Sequence, residues 1–150
     1  MIFSTVNKIP GFLLEKLDIL FKLLKERKCE YEVFADRVND KALKRTVLTL
    51  AQESNQYANE LSSQIETMGG KINEYDSESG VTNGGNVFIS EPEDILKSCE
   101  VSENKMIVAY RTILNEPFLH ENLRKLIRSQ LNGLTCLFMQ LKLLNTSFNR

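Results

Sequence analysis

Five polar residues interrupt otherwise apolar helical patterns in this sequence. They are Lys28, Glu53, Ser54, Glu103 and Gln130. Together they supply an ammonium group, two carboxylates, a hydroxyl and an amide, and buried polar groups must find partners in one another, in water or in a ligand. Carboxylates on facing helices of a bundle are also what proteins use to hold two iron ions. The five residues therefore admit three interpretations: a structural polar layer, a weak or vestigial metal site, and a small-molecule pocket.

The shortage of histidines weighs against a working metal centre. Bundle proteins that bind two irons place a Glu-x-x-His pair on each of two helices, but here Glu53 is followed three residues later by Gln56. The single histidine, His120, lies about ten residues from the level of the polar interruptions. Lys28 would repel a cation and would neutralise a carboxylate instead. We therefore expect no metal and no cofactor, and we favour the structural polar layer.

Other kinds of catalysis find little support in the residue types. A nucleophile needs a base and an orienting group within reach, and one distant histidine permits no Ser-His or Cys-His arrangement. The glycine pairs do not precede a helix in the way that a phosphate-binding loop requires. Glu53 and Glu103 remain a possible carboxylate pair, but nothing in the sequence separates their pKa values. We expect a structural or stress-associated protein that is not an enzyme.

Four helices position these residues. Apolar residues recur at intervals of three, four and seven, the spacing that keeps side chains on one face of a helix. The pattern predicts helices over about 11–38, 40–68, 90–114 and 117–147, within a single domain that spans 1–150. Residues 70–89 contain four of the seven glycines and are long enough to cross between parallel helices two and three. The predicted fold is an all-α, antiparallel four-helix bundle with this long crossover.

Turn and capping residues punctuate the helices. Gly69 follows the second helix, where a left-handed residue commonly ends a helix. Ser90 and Glu93 have the spacing of a capping box at the start of the third helix. Pro117 marks the opening of the fourth. Counted from the two short connections, the polar interruptions all lie about a dozen residues along their helices, so we expect them to share one height in the bundle.

Composition narrows the classes of partner and compartment. The chain has 150 residues, with 19 lysine and arginine against 20 aspartate and glutamate, a formal charge of −1 that gives no strong attraction to nucleic acid. No uncharged stretch approaches the roughly 20 residues of a membrane span. The three cysteines, Cys29, Cys99 and Cys136, lie far apart and suit reduced thiols. We therefore expect a cytoplasmic protein that binds neither nucleic acid nor membrane.

Apolar residues beside the predicted stripes suggest a protein partner. They are Phe12, Leu14, Phe21, Phe34, Ile107, Val108 and Phe138. Surplus apolar surface usually marks an interaction site, and a self-complementary twofold dimer is its commonest outcome. A homodimer is therefore expected, and a protein interaction module is an alternative to the structural interpretation. Widened apolar faces are also compatible with a well-buried bundle.

Three stretches carry a resemblance to a known family. They are "LLKERKCEYEVFADRVNDKALKRTVLTLAQESNQYANELSSQIETMGG", "ILKSCEVSENKMIVAYRTIL" and "LRKLIRSQ". Together they resemble the bacterial ferritin-like proteins grouped as domain of unknown function 2383, from about Leu17 to Leu144. The resemblance implies a ferritin-like four-helix fold. It implies no activity, because none is established for the family.

The chain also departs from that family's pattern. Family members usually carry a His-Arg-x-Trp segment between helices two and three, and "SESGVTNGGNVFIS" contains neither histidine nor tryptophan. An acidic position of the first helix aligns with Lys28 or, one residue along, with Cys29. Both departures argue against inherited metal binding.

Overall fold

The computed structural model describes residues 9–72 and 92–148. Within them the chain forms four helices: α1 (Gly11–Arg37), α2 (Lys41–Thr67), α3 (Pro92–Leu114) and α4 (Glu121–Phe148). These two ranges contain no strand, so the all-α prediction is confirmed. None of the four helices combines the length and the apolar character needed to cross a membrane.

The helices form a bundle in which α1 and α4 each pack against both α2 and α3. Helices α1 and α3 run in opposite directions. Lys16, near the start of α1, pairs with Glu116 just after the end of α3, whereas Glu30, later in α1, accepts a hydrogen bond from Ser102 in the first half of α3. The helix pairs α1/α2 and α1/α3 are thus antiparallel, and α2 and α3 run parallel across the diagonal. The predicted crossover between them lies outside the described residues beyond Ile72.

The α1–α2 connection and the end of α2 follow from their local sequences. The Asp40 carboxylate accepts a hydrogen bond from the backbone N–H of Leu43 at 2.9 Å and so caps α2. At the other end Gly69 adopts φ 86°, the left-handed conformation predicted for it. This allows the Gly70 N–H to donate to the carbonyl of Ile65 at 2.9 Å, which satisfies one of the last carbonyls of the helix.

The start of α4 corrects the sequence-based boundary. The helix begins at Glu121 and not at Pro117, which lies in a turn. His120 caps it, because its Nδ1 accepts a hydrogen bond from the backbone N–H of Asn122 at 3.1 Å and its carbonyl accepts one from Arg124 at 2.8 Å. The proline therefore turns the chain before the helix. The predicted capping box at the start of α3 lies outside the described residues.

The buried residues of every helix recur at intervals of three and four, and in α1 and α3 the two intervals alternate. In α1 the series is Leu13, Leu17, Leu20, Leu24, Arg27, Tyr31, Phe34 and Val38. In α3 it is Cys99, Glu103, Met106, Tyr110 and Ile113. Leu119 lies just before α4, and α4 itself contributes Leu123, Ile127, Gln130, Leu134, Phe138 and Leu141. The alternation in α1 and α3 is the spacing found in knobs-into-holes packing, while α2 and α4 each contain successive intervals of four. The buried residues form two apolar clusters, one toward each end of the bundle, separated at mid-height by polar side chains.

Several residues expected at the edge of the stripes belong to the core. Phe21, Phe34 and Phe138 are buried, so they are not surplus apolar surface. In α4 the buried residue is Ile127, while its neighbour Leu126 is only partly buried. Intervals of three and of four both return to nearly the same face of a helix, and this permits a one-residue error of phase.

Candidate functional site

Arg27 stands at the centre of the polar region. It occupies a core position of α1, one turn after Leu24 and one turn before Tyr31, and only 1% of it is exposed. Its Nη1 donates a hydrogen bond to the Ser54 hydroxyl of α2 at 2.6 Å, and its Nε donates to Glu103 Oε2 of α3. One guanidinium therefore joins three helices at the middle of the bundle.

Lys28 does not belong to this group. It is partly exposed and forms an ion pair with Glu32 one turn along α1, with 3.0 Å between Lys28 Nζ and Glu32 Oε2. The predicted cation is therefore corrected from Lys28 to Arg27. The two side chains point about 100° apart around the helix, so that one enters the core while the other lies at the surface.

Glu103 receives two donors on the same oxygen. Besides Arg27, the Tyr31 hydroxyl donates to Glu103 Oε2 at 3.0 Å, and the guanidinium also lies 5.1 Å from the centre of the Tyr31 ring. Both partners come from α1, which is why the carboxylate of α3 can remain buried with 2% of the residue exposed. Charge-assisted hydrogen bonds of this kind are the stronger ones in proteins.

Glu53 and Ser54 of α2 approach Arg27 from the other side. Glu53 Oε1 lies 3.5 Å from Arg27 Nη1, and Glu53 Oε2 accepts a hydrogen bond from the Tyr57 hydroxyl at 3.0 Å. Ser54 is fully buried and also donates to the carbonyl of Leu50 at 2.9 Å. The structure therefore brings Glu53, Ser54 and Glu103 together around Arg27, and we call these four residues the ion-pair layer.

Gln130 lies one helical turn away from the ion-pair layer and bonds to other groups. It is buried, it accepts a hydrogen bond from the Tyr110 hydroxyl at 2.9 Å, and its amide donates to the carbonyl of Tyr57 and to Glu60 Oε1, both at 3.1 Å. Its link to the layer runs through Tyr57, whose hydroxyl binds Glu53. The prediction that Gln130 shares the height of the carboxylates is thus off by about one turn.

A glycine of α4 makes room for that link. A methyl group built on Gly133 would stand 2.0 Å from the Tyr57 hydroxyl oxygen and 3.4 Å from Glu53 Oε2. Any larger residue at position 133 would push Tyr57 away from the carboxylate. Glycine at position 133 therefore leaves the space that the Tyr57 hydroxyl needs to bind Glu53.

Burial and charge shift the pKa values of these groups in opposing ways. Desolvation by burial would lower the pKa of Arg27, but the neighbouring groups, Glu103 first among them, together outweigh that effect and the pKa is raised. Burial raises the pKa of Tyr31 well above its usual value, and the Glu103 charge adds to this. Burial also raises the pKa of Glu53, against the opposing influence of Arg27. Arg27 and Tyr31 are therefore held as hydrogen-bond donors.

The ion-pair layer contains two carboxylates but only one guanidinium. Neither Glu53 Oε1 nor Glu103 Oε1 has a hydrogen-bond partner among the described residues. Arg27 Nη2 also lacks one within that part of the chain. Most buried polar atoms in proteins are paired, so each exception needs a physical reason. For Glu103 the reason is that both of its donors, Arg27 and Tyr31, bind Oε2, which leaves Oε1 without one among the described residues.

The donor set of the layer does not resemble a metal centre. Among the side chains that the structure describes, no three of His, Cys, Asp or Glu lie close enough together to hold a metal ion. The guanidinium of Arg27 stands between the two carboxylates that an ion would have to share. A fixed positive charge at that position disfavours a second cation by direct repulsion.

The phase of α1 contains a pattern that identifies Arg27 from sequence. The intervals from Leu13 to Leu24 run four, three, four, so the next core position in the alternation is Arg27 and the one after it is Tyr31. Lys28 lies four residues after Leu24, so it fits a pattern in which intervals of three and four may follow one another in any order. Holding the alternation fixed would have selected the arginine.

The ion-pair layer lies in the part of the chain that matches a known family. A family model described as Domain of unknown function (DUF2383) matches residues 13–116, more than half of the chain. The match contains all four residues of the ion-pair layer, while Gln130 on α4 lies beyond it. Neither the curated proteins nor the solved structures contain a match to this chain.

Proposed function

The chain belongs to the DUF2383 family, and from that premise we propose that it is a non-catalytic structural or stress-associated bundle protein whose ion-pair layer takes the place of a metal centre. The single observation that supports this is Arg27, which is buried between the carboxylates of Glu53 and Glu103. The parallel diagonal pair α2 and α3 supports kinship with ferritin-like bundles, where a long connection joins such helices.

The chemistry of the layer favours a structural role. The two donors to Glu103, Arg27 and Tyr31, have raised pKa values, so they hold their protons at neutral pH. General acid–base catalysis works best with a group that titrates near the working pH. The free cysteines support a reducing compartment, and on that ground we propose that the protein is cytoplasmic.

The test is iron binding and oxidation. Protein purified without chelator should contain no stoichiometric iron or manganese by elemental analysis, and ferrous iron in air should oxidise no faster with the protein than without it. Saturable oxidation by the wild-type chain that disappears in both Glu53→Ala and Glu103→Ala variants would overturn the structural interpretation in favour of a degenerate metal-binding bundle.

A second candidate function is self-association through an exposed apolar strip. Phe12 and Ile19 on α1 and Val101 and Val108 on α3 are each more than half exposed. Residues seven apart share a face of a helix, and Ile19 and Val108 line the same surface groove between α1 and α3. These four residues therefore form one strip along two neighbouring helices. We propose that a second copy of the chain covers it in a twofold homodimer.

Sedimentation equilibrium tests the dimer. The wild-type chain should give about twice the mass of 17.2 kDa, and Ile19→Glu combined with Val108→Glu should give a monomer. Leu48→Glu is the matched control, because Leu48 is an exposed apolar residue on α2 outside the strip. A wild-type monomer at high micromolar concentration would refute the proposal, and so would dissociation caused equally by the control.

A further inference from the structure

An open groove between α3 and α4 has apolar walls and room for one ring. Ile107 of α3 and Phe138 and Met139 of α4 line it, and its volume is about 160 Å³. An engineered protein cavity of ~150 Å³ holds a benzene molecule, so this volume suits one aromatic ring or a short alkyl chain. Apolar walls with a few polar groups are typical of small-molecule sites.

Two opposite charges stand together at the mouth of this groove. Glu100 of α3 and Lys142 of α4 both line it, and Glu100 Oε2 lies 3.2 Å from Lys142 Nζ. Their side chains are 46% and 47% exposed, so both are open to a molecule from solution. Lys142 Nζ also lies 5.8 Å from the centre of the Phe138 ring, which places the ammonium group beside the apolar wall.

The third charged residue of the groove is closed to a ligand. Glu103 Oε2 accepts hydrogen bonds from Arg27 and Tyr31, and Glu103 Oε1 is buried. The accessible charges are therefore those of Glu100 and Lys142, one negative and one positive. A ligand with a single charge would be attracted by one of these groups and repelled by the other. A ligand that carries both charges close together matches the mouth better.

We propose that this groove binds a free α-amino acid with an apolar side chain. Such a molecule carries its ammonium and carboxylate groups on one carbon atom, as close together as the two ends of an ion pair. The ammonium group lies beside Glu100 and the carboxylate beside Lys142, so that the four charges alternate and the Glu100–Lys142 pair is kept. The side chain packs against the apolar walls. These residues belong neither to the ion-pair layer nor to the exposed apolar strip, so a failure of this binding would leave the iron and dimer tests unaffected.

Titration with L-phenylalanine, followed by NMR chemical shifts, tests the proposal together with two analogues that each lack one charge. Phenylalanine should bind saturably with one molecule per chain and should shift the backbone amide signals of Ile107 and Phe138. 2-Phenylethylammonium lacks the carboxylate and 3-phenylpropanoate lacks the ammonium group. Each should bind about fivefold more weakly, as expected for the loss of one partly exposed ion pair. No saturation by phenylalanine, or equal or tighter binding of either analogue, would overturn the proposal.

Reversal of the two charges tests which residues recognise the amino acid. Glu100→Lys places two ammonium groups at the mouth and should weaken phenylalanine binding at least about fivefold. Glu100→Lys combined with Lys142→Glu restores one charge of each sign and should bring the affinity back to within about twofold of the wild-type value. A Glu100→Lys variant that binds normally, or a combined variant as weak as the single one, would refute recognition by this pair.

A second pair of variants locates the site by steric exclusion. Asn104 is exposed and lines the groove, so Asn104→Trp should fill its mouth and reduce phenylalanine binding at least about tenfold. Ser98→Trp is the matched control, because Ser98 is an exposed polar residue of the same helix that does not line the groove. Unchanged binding in the Asn104→Trp variant, or equal losses in both variants, would show that the amino acid binds elsewhere.

Discussion

Replacing Arg27 by methionine should destabilise the bundle far more than replacing its neighbour Lys28. Methionine keeps most of the length and apolar volume of the arginine, so the loss is mainly that of the guanidinium. The Arg27 and Glu103 side chains are 1% and 3% exposed. Removing one partner of such a buried pair leaves the other desolvated and typically costs about 3–5 kcal/mol of folding free energy.

Lys28→Met is the matched control at the next position. Lys28 pairs with Glu32 along the same helix, and their side chains are 31% and 49% exposed. Exposed pairs of this spacing contribute about 0.3–0.5 kcal/mol. The two variants should therefore differ roughly tenfold in the free energy of unfolding that they remove.

The measurement is urea unfolding followed by circular dichroism, applied to a double-mutant cycle. Arg27→Met, Glu103→Gln and the combined variant should show that the two changes together destabilise less than the sum of the single effects, with a coupling energy of about 1–3 kcal/mol. If Arg27→Met proves no worse than Lys28→Met, or if the cycle shows no coupling, the ion-pair layer does not contribute to stability as its geometry implies.

Two further predictions concern Glu53 and its surroundings. Gly133→Ala should destabilise the wild-type chain although alanine is favoured over glycine in helices by about 1 kcal/mol, because the new methyl group meets the Tyr57 hydroxyl at 2.0 Å. In a Tyr57→Phe background the same change should be clearly less harmful, and equal effects in both backgrounds would contradict the steric explanation. Burial raises the pKa of Glu53 above its ordinary value of 4.5, so the folded state binds more protons than the unfolded state, and this contribution to stability is lost as pH rises through the raised pKa. Glu53→Gln cannot ionise and should therefore gain stability relative to the wild-type chain as pH increases from about 4.5 toward neutrality; a urea midpoint difference that stays constant or moves the other way would contradict this.

The helices could be predicted because their evidence is local. Intervals of three and four identify the four helices, and Gly69 marks the end of α2 by a conformation that few other residues adopt. The sequence predicts too early a start for α4, because Pro117 fits both a first helical turn and the bend before it. The histidine that in fact caps the helix is a less usual residue for that role.

The site could be predicted only in part because its partners lie on different helices. Interruptions of an apolar pattern identify Glu53, Ser54 and Glu103, but they point to Lys28 as the cation, one residue away from Arg27. Their pairing depends on the relative height and rotation of the helices, and the apolar pattern of one helix does not predict either. The groove beside Glu103 is harder still, since its width depends on how closely α3 approaches α4.

The layer is better understood as a device for alignment than as a large source of stability. A buried ion pair contributes little net stability compared with well-packed apolar residues. Apolar stripes with repeating intervals of three and four can in principle pair in more than one register, because each shifted arrangement still buries apolar residues. Arg27 on α1 finds a hydroxyl on α2 and a carboxylate on α3 only when the three helices stand at one relative height. A shifted register would leave a guanidinium and a carboxylate buried without partners, a large penalty, so the layer would select one arrangement among several that the apolar core alone would permit.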